Sequence, residues 1–69
     1  MITAAELRRM RQAFLSLPKR NREIFASVSV ADLGFAEAAA RHSCTVAEVE
    51  QTVARVLIAL NRAAESERP

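Results

Sequence analysis

One stretch constrains this chain more than any other: TVAEVEQTVARVLIALNR, from Thr45 to Arg62. Val46, Val49, Val53, Val56, Leu57 and Leu60 recur at helical spacing and form one apolar stripe. Thr45, with Glu48 three residues later, is a capping box, in which hydroxyl and carboxylate each accept from the other residue's backbone N–H. The opposite face holds Ala47, Glu48, Gln51, Arg55, Ile58 and Arg62. A helix with an apolar face needs other elements to cover it, and the rest of the chain is expected to supply them.

Those elements also read as helices. Thr3-Ala4-Ala5-Glu6 is a second capping box, and Leu7, Met10, Phe14 and Leu17 follow as a core stripe, with Arg8, Arg9, Arg11 and Gln12 outside. Pro18 closes this helix, because the residue before a proline is pushed out of the α region, and it suits the first turn of the next. That second helix is predicted at about Lys19 to Val30, with Ile24, Phe25 and Val28 inward, although SVSV at its end is β-branched and equally compatible with extended chain. Asp32-Leu33-Gly34-Phe35 breaks it. A short alanine-rich helix then runs from Phe35 or Ala36 to Arg41, where Ala38 and Ala39 admit close approach of another helix. His42-Ser43-Cys44 is a tight turn into the Thr45 cap, which makes the last two helices a helix-turn-helix. The expected fold is all-α: one four-helix domain over residues 1–69, with a polar tail, Glu65 to Pro69, that frays.

Composition narrows the function. At 69 residues the chain is one domain, near the lower limit of independent folding. A single cysteine excludes an internal disulfide, and no apolar run reaches membrane-spanning length, so the chain reads as soluble and cytoplasmic, without a membrane partner. His42 and Cys44 supply two metal ligands, too few for a zinc site, and Cys44 reads as a packed residue. No carboxylate pair, glycine-rich phosphate loop or Ser/His/Asp set points to catalysis, a cofactor or a small-molecule substrate. The net charge is +2, but residues 1–22 hold Arg8, Arg9, Arg11, Lys19, Arg20 and Arg22 against Glu6 alone. The basic surplus therefore lies ahead of the long helix.

LSLPKRNREIF, followed by DLGFAEAAARHSCTVAEVEQTVARVLIAL, resembles region four of bacterial sigma-70 factors, especially the extracytoplasmic-function group. Leu17, Pro18, Arg20, Arg22, Ile24 and Phe25 match the first part of that pattern. Leu33, Phe35, Glu37, Ala38, Ala39, Cys44, Thr45, Val46, Val49, Arg55, Leu57 and Leu60 match the second. The likeness runs roughly from Leu7 to Leu60 and does not include region two. It implies a role in transcription initiation or its regulation. The last helix would enter the major groove of a minus-35-type promoter element, and the earlier helices would meet RNA polymerase or an anti-sigma factor. The sequence departs from the pattern at Glu50, Thr52 and Ile58, where the family tends to carry arginine, and at His42-Ser43, where it has Leu-Gly.

For DNA, the groove-facing set would be Gln51, Thr52 and Arg55 with Glu48, and Arg41 and Arg62 would hold phosphates. Gln51 suits adenine and Arg55 guanine. Glu48 and Glu50 oppose phosphate, and their alternative reading is a cap and a solvated face. Ile58 falls about 180° from Val49 around the helix and is expected to be exposed. The rival function is a protein-interaction module that keeps the fold without DNA binding. It would use Ile58, Arg8 and Arg11 to contact RNA polymerase, an anti-sigma factor or a second copy of itself.

Overall fold

The computed structural model describes residues 2–65 as four helices: α1 (Ala4–Leu15), α2 (Lys19–Ser29), α3 (Phe35–Arg41) and α4 (Val46–Glu65). None of these helices is long and apolar enough to cross a membrane. The expected fraying of the tail falls on residues 66–69, outside the described part, while Glu65 closes α4.

Capping sets the starts. The Thr3 hydroxyl accepts from the Glu6 N–H at 3.1 Å, and Glu6 Oε1 accepts from the Thr3 N–H at 2.8 Å. Thr45 and Glu48 repeat the exchange at 3.1 and 2.8 Å. Each box satisfies N–H groups that the first helical turn leaves without a partner. At α3 only half of the device exists: Glu37 Oε1 accepts from the Gly34 N–H at 3.3 Å, and Gly34 has no side chain to return the bond. The serine-rich segment after Ile24 is helical through Ser29, so the helical alternative holds there.

All three shorter helices pack on one side of α4, and α2 also meets α3. Ile24, Ala38, Ala39 and Val49 form a buried cluster, with Val28, Cys44 and Val53 against it. Val56, fully buried, extends the inward face of α4 by two turns beyond Val49. Each such valine or isoleucine contributes about 1.5–3 kcal/mol relative to exposure. The alanines at 38 and 39 let α3 approach closely enough to seal Val49. Phe14 and Phe25 link α1 to α2, with ring centroids 5.9 Å apart and planes at 59°.

Three expected core residues are exposed instead. Leu7 and Leu57 keep 59% and 53% of their surface, and Val46 keeps 41%. They flank their helices' inward arcs, and short partner helices do not reach round far enough to cover them. The far end of α4 is held differently: Arg9 Nε donates to the Ala63 carbonyl and its Nη2 to the Ala64 carbonyl, both at 3.0 Å. These bonds occupy carbonyls that a helix C-terminus otherwise leaves open.

The glycine of the chain and its left-handed turns do not coincide. Gly34 has φ −69°, whereas Asp32 and Ser43 have φ 60° and 55°. A Cβ at Gly34 would meet only Glu37 Oε1, at 3.8 Å, an ordinary contact. Gly34→Ser should therefore complete the α3 capping box and stabilise the fold by a few tenths of a kcal/mol, up to about 1. Ser43→Gly should relieve a left-handed turn and add about 1 kcal/mol. Urea denaturation midpoints check both, and a lower midpoint in either variant would contradict the assignment.

Candidate nucleic-acid interface

The turn between α3 and α4 is a Schellman closure. With His42 as C-cap and Ser43 left-handed, the Cys44 N–H donates to the Ala39 carbonyl at 2.9 Å and the Ser43 N–H to the Ala40 carbonyl at 3.4 Å. The Cys44 side chain turns back onto the core cluster, the apolar contact that usually accompanies this motif. His42 and Cys44 thus have structural tasks in the turn. Ser27 Oγ donates to the Glu23 carbonyl at 3.0 Å and lies 2.8 Å from His42 Nε2. Arg20 Nη2 donates to the His42 carbonyl at 3.2 Å. The last turn of α2 and its first turn both brace the helix-turn-helix corner.

This bracing divides the Lys19–Arg20–Arg22 cluster. Lys19 pairs with Glu23 at 3.9 Å in the open, a contact worth little. Arg20 is turned to the corner. Arg22 is half-buried, and its Nε, sealed from solvent, has no hydrogen-bond partner among the described residues. The sequence run does not become one basic patch.

On α4, Gln51, Arg55, Ile58 and Arg62 are exposed on the side away from the core, as are Ala47, Glu50 and Ala54. Thr52 is not with them. It is 8% exposed, three residues after Val49 and four before Val56, on the buried arc. Placing Thr52 among groove-facing residues is therefore corrected: it lies on the buried arc of α4. Glu48 is exposed but committed to its cap, and Oε1 also accepts from the Thr45 hydroxyl at 3.2 Å. The Thr45 backbone N–H first, then the Thr45 hydroxyl and the nearby Arg20 guanidinium, hold the Glu48 carboxyl below its usual value of 4.5. Along the outer face charge runs from Glu48 and Glu50 to Arg55 and Arg62. That order complements the helix dipole and leaves the leading end without a positive strip.

Arg41 is exposed in the last turn of α3, one short turn from the start of α4. Arg8 and Arg11 are exposed on α1. Because Arg9 binds the last turn of α4, this part of α1 lies about 18 Å along the helix from Gln51. Arg8 and Arg11 belong to a separate surface, with Ala4 and Leu7. Arg20, named in the sequence only as part of the basic run and the family pattern, is brought near the candidate interface by the packing of α2 on the corner.

A family model described as "Sigma-70, region 4" matches residues 7–60, most of the chain. The chain belongs to the sigma-70 region 4 family. No curated protein and no solved structure matches it. The four helices and the capped helix-turn-helix agree with that membership, which makes this a sigma-factor-type DNA-binding domain of transcription.

Glu6 is held below its usual value of 4.5 by the Thr3 backbone N–H, then the Thr3 hydroxyl and Arg9, as Glu48 is by Thr45 and Arg20. Lowered carboxylates add stability that is complete above the unfolded value and is lost as pH falls through the folded one. Denaturation midpoints from pH 7 down to pH 2 should therefore drop below about pH 4.5, and Glu6→Gln with Glu48→Gln should flatten that fall. An unchanged acid limb in the double variant would remove the two caps from the account.

Proposed function

We propose that this region-4 domain reads a minus-35-type promoter element with the outer face of α4, and contacts RNA polymerase through its other helices. The observation that carries the reading is the exposure of Gln51 and Arg55 on the outer face of a helix whose leading end is fixed by a closed turn and by α2. A helix held that firmly presents Gln51 and Arg55 at a set angle. Bidentate pairing with adenine and guanine edges depends on such positioning. In this reading Arg41 before the turn and Arg62 far along α4, both exposed, hold phosphates on either side. Glu48 is the helix cap in this reading, and Thr52 supports the core.

Anisotropy titration against a minus-35-type duplex tests this. Binding should be present at low salt and weaken with a log–log slope of about −2, for two phosphate contacts. Arg41→Ala and Arg62→Ala should each reduce that slope by about 1 on every sequence. Gln51→Ala should instead cost about 1–3 kcal/mol of discrimination at one base pair, and Thr52→Val none. No binding at low salt, where phosphate attraction is greatest, would end the proposal.

A second reading is favoured by Leu57 and Ile58, adjacent on α4 and both more than half exposed. Here the domain acts by protein contact, with RNA polymerase, an anti-sigma factor or a second copy of itself as partner. Capture by purified RNA polymerase that Ile58→Glu or the pair Arg8→Glu and Arg11→Glu abolishes would support it. Full capture by all variants would count against these residues.

A further inference from the structure

Two contacts from α2 end on one residue of the corner. Arg20 Nη2 donates to the His42 carbonyl at 3.2 Å, and Ser27 Oγ lies 2.8 Å from His42 Nε2. Arg20 and Ser27 are seven residues apart. That is about 10 Å along α2, and close to two full turns, so both stand on the same side of the helix. Ile24, 2% exposed, lies between them on that side and belongs to the cluster with Ala38, Ala39 and Val49. On α3 the buried part of this contact is two methyl groups. Such a surface admits close approach but has no protruding side chain to interlock, and apolar attraction has no preferred direction. Hydrogen bonds do have one. The bonds to His42 therefore supply a directional restraint at the end of α3.

We propose that His42 is a positioning residue for DNA reading: through Ser27 and Arg20 it sets α3, and with it Arg41, at one angle to the Gln51–Arg55 face of α4. Arg41 immediately precedes His42, at the end of α3, and is exposed. Phosphate contacts fix the register of a protein on a duplex, and base contacts read within that register. A phosphate anchor on a loosely held helix would neutralise charge equally well but would leave Gln51 and Arg55 misaligned with base edges. His42 acts here without touching DNA. Its ring is taken by Ser27, itself 8% exposed, and its carbonyl by Arg20. The Schellman turn then passes the setting on to the Thr45 cap and the first turn of α4. The role rests on the DNA reading and adds to it a residue that works by holding rather than by contact.

Anisotropy titrations of His42→Ala and Ser27→Ala, at a temperature where circular dichroism shows each variant folded, test the role. Both should lower discrimination at the base pair that Gln51→Ala identifies by about fivefold, the lower end of what one bidentate pair supplies. Both should leave the slope of log affinity against log salt unchanged, since no phosphate contact is lost. The double variant should lose no more than either single one, because the two side chains form one bond. His42→Gln should recover discrimination, since a side-chain amide can donate to the Ser27 hydroxyl or accept from it.

Alanine variants that unfold at lower urea but discriminate like the parent would reduce His42 to a structural residue and overturn the proposal. A salt slope reduced by about 1 in His42→Ala would also overturn it, by making His42 a phosphate contact. So would a glutamine variant no better than alanine. A parent that binds no duplex at low salt ends the DNA reading and this role together, whereas each of the other results ends the role alone.

Discussion

Everything in this molecule depends on one face of α4. α1, α2 and α3 all pack against it, and apart from the α2–α3 contact and the Phe14–Phe25 pair they have little other support. Val49 and Val56 are fully buried because three short helices converge on them, and those helices are ordered because the valines are there. Helices of seven to twelve residues are marginal alone in water, so docking rather than propensity holds them. The same convergence leaves the opposite face of α4 bare. In a fold this small, the surface that is free to act is fixed by the surface that must be buried.

Two kinds of bond adjust this arrangement. Reciprocal caps at Thr3 and Thr45 define where α1 and α4 begin, and the Schellman closure sets how α3 hands over to α4. Across elements, Arg20 and Ser27 grip the corner at His42, while Arg9 grips the end of α4. Arginines that look like a phosphate-binding run in the sequence are partly spent on these internal tasks. This is why the basic surplus of residues 1–22 does not translate into one basic surface.

Local signals were legible in the chain: the T-x-x-E boxes, the proline stop after Leu17, the alanine pair at 38 and 39, and the outward position of Ile58. Each depends on residues within a turn or two of one another. The exposure of Leu7, Val46 and Leu57 was not legible, since hydropathy marks what could be buried and partner length decides what is. Thr52 is the instructive case. Its polarity grouped it with Gln51 and Arg55, yet its spacing from Val49 and Val56 put it on the buried arc, and geometry outweighed chemistry. The role of Arg20 needed the docking of α2 and had no signal along the chain.

The grip of Arg9 on Ala63 and Ala64 has a consequence for how the molecule comes apart. It ties residues more than fifty positions distant into one unit, so the last turn of α4 cannot fray while α1 stays docked. Amide exchange in α1 and at the end of α4 would then report a single opening. The corner around Val49 would open separately, with the core. The chain has a sequential seam despite its size: an outer half made from its two ends, and an inner half that keeps the corner.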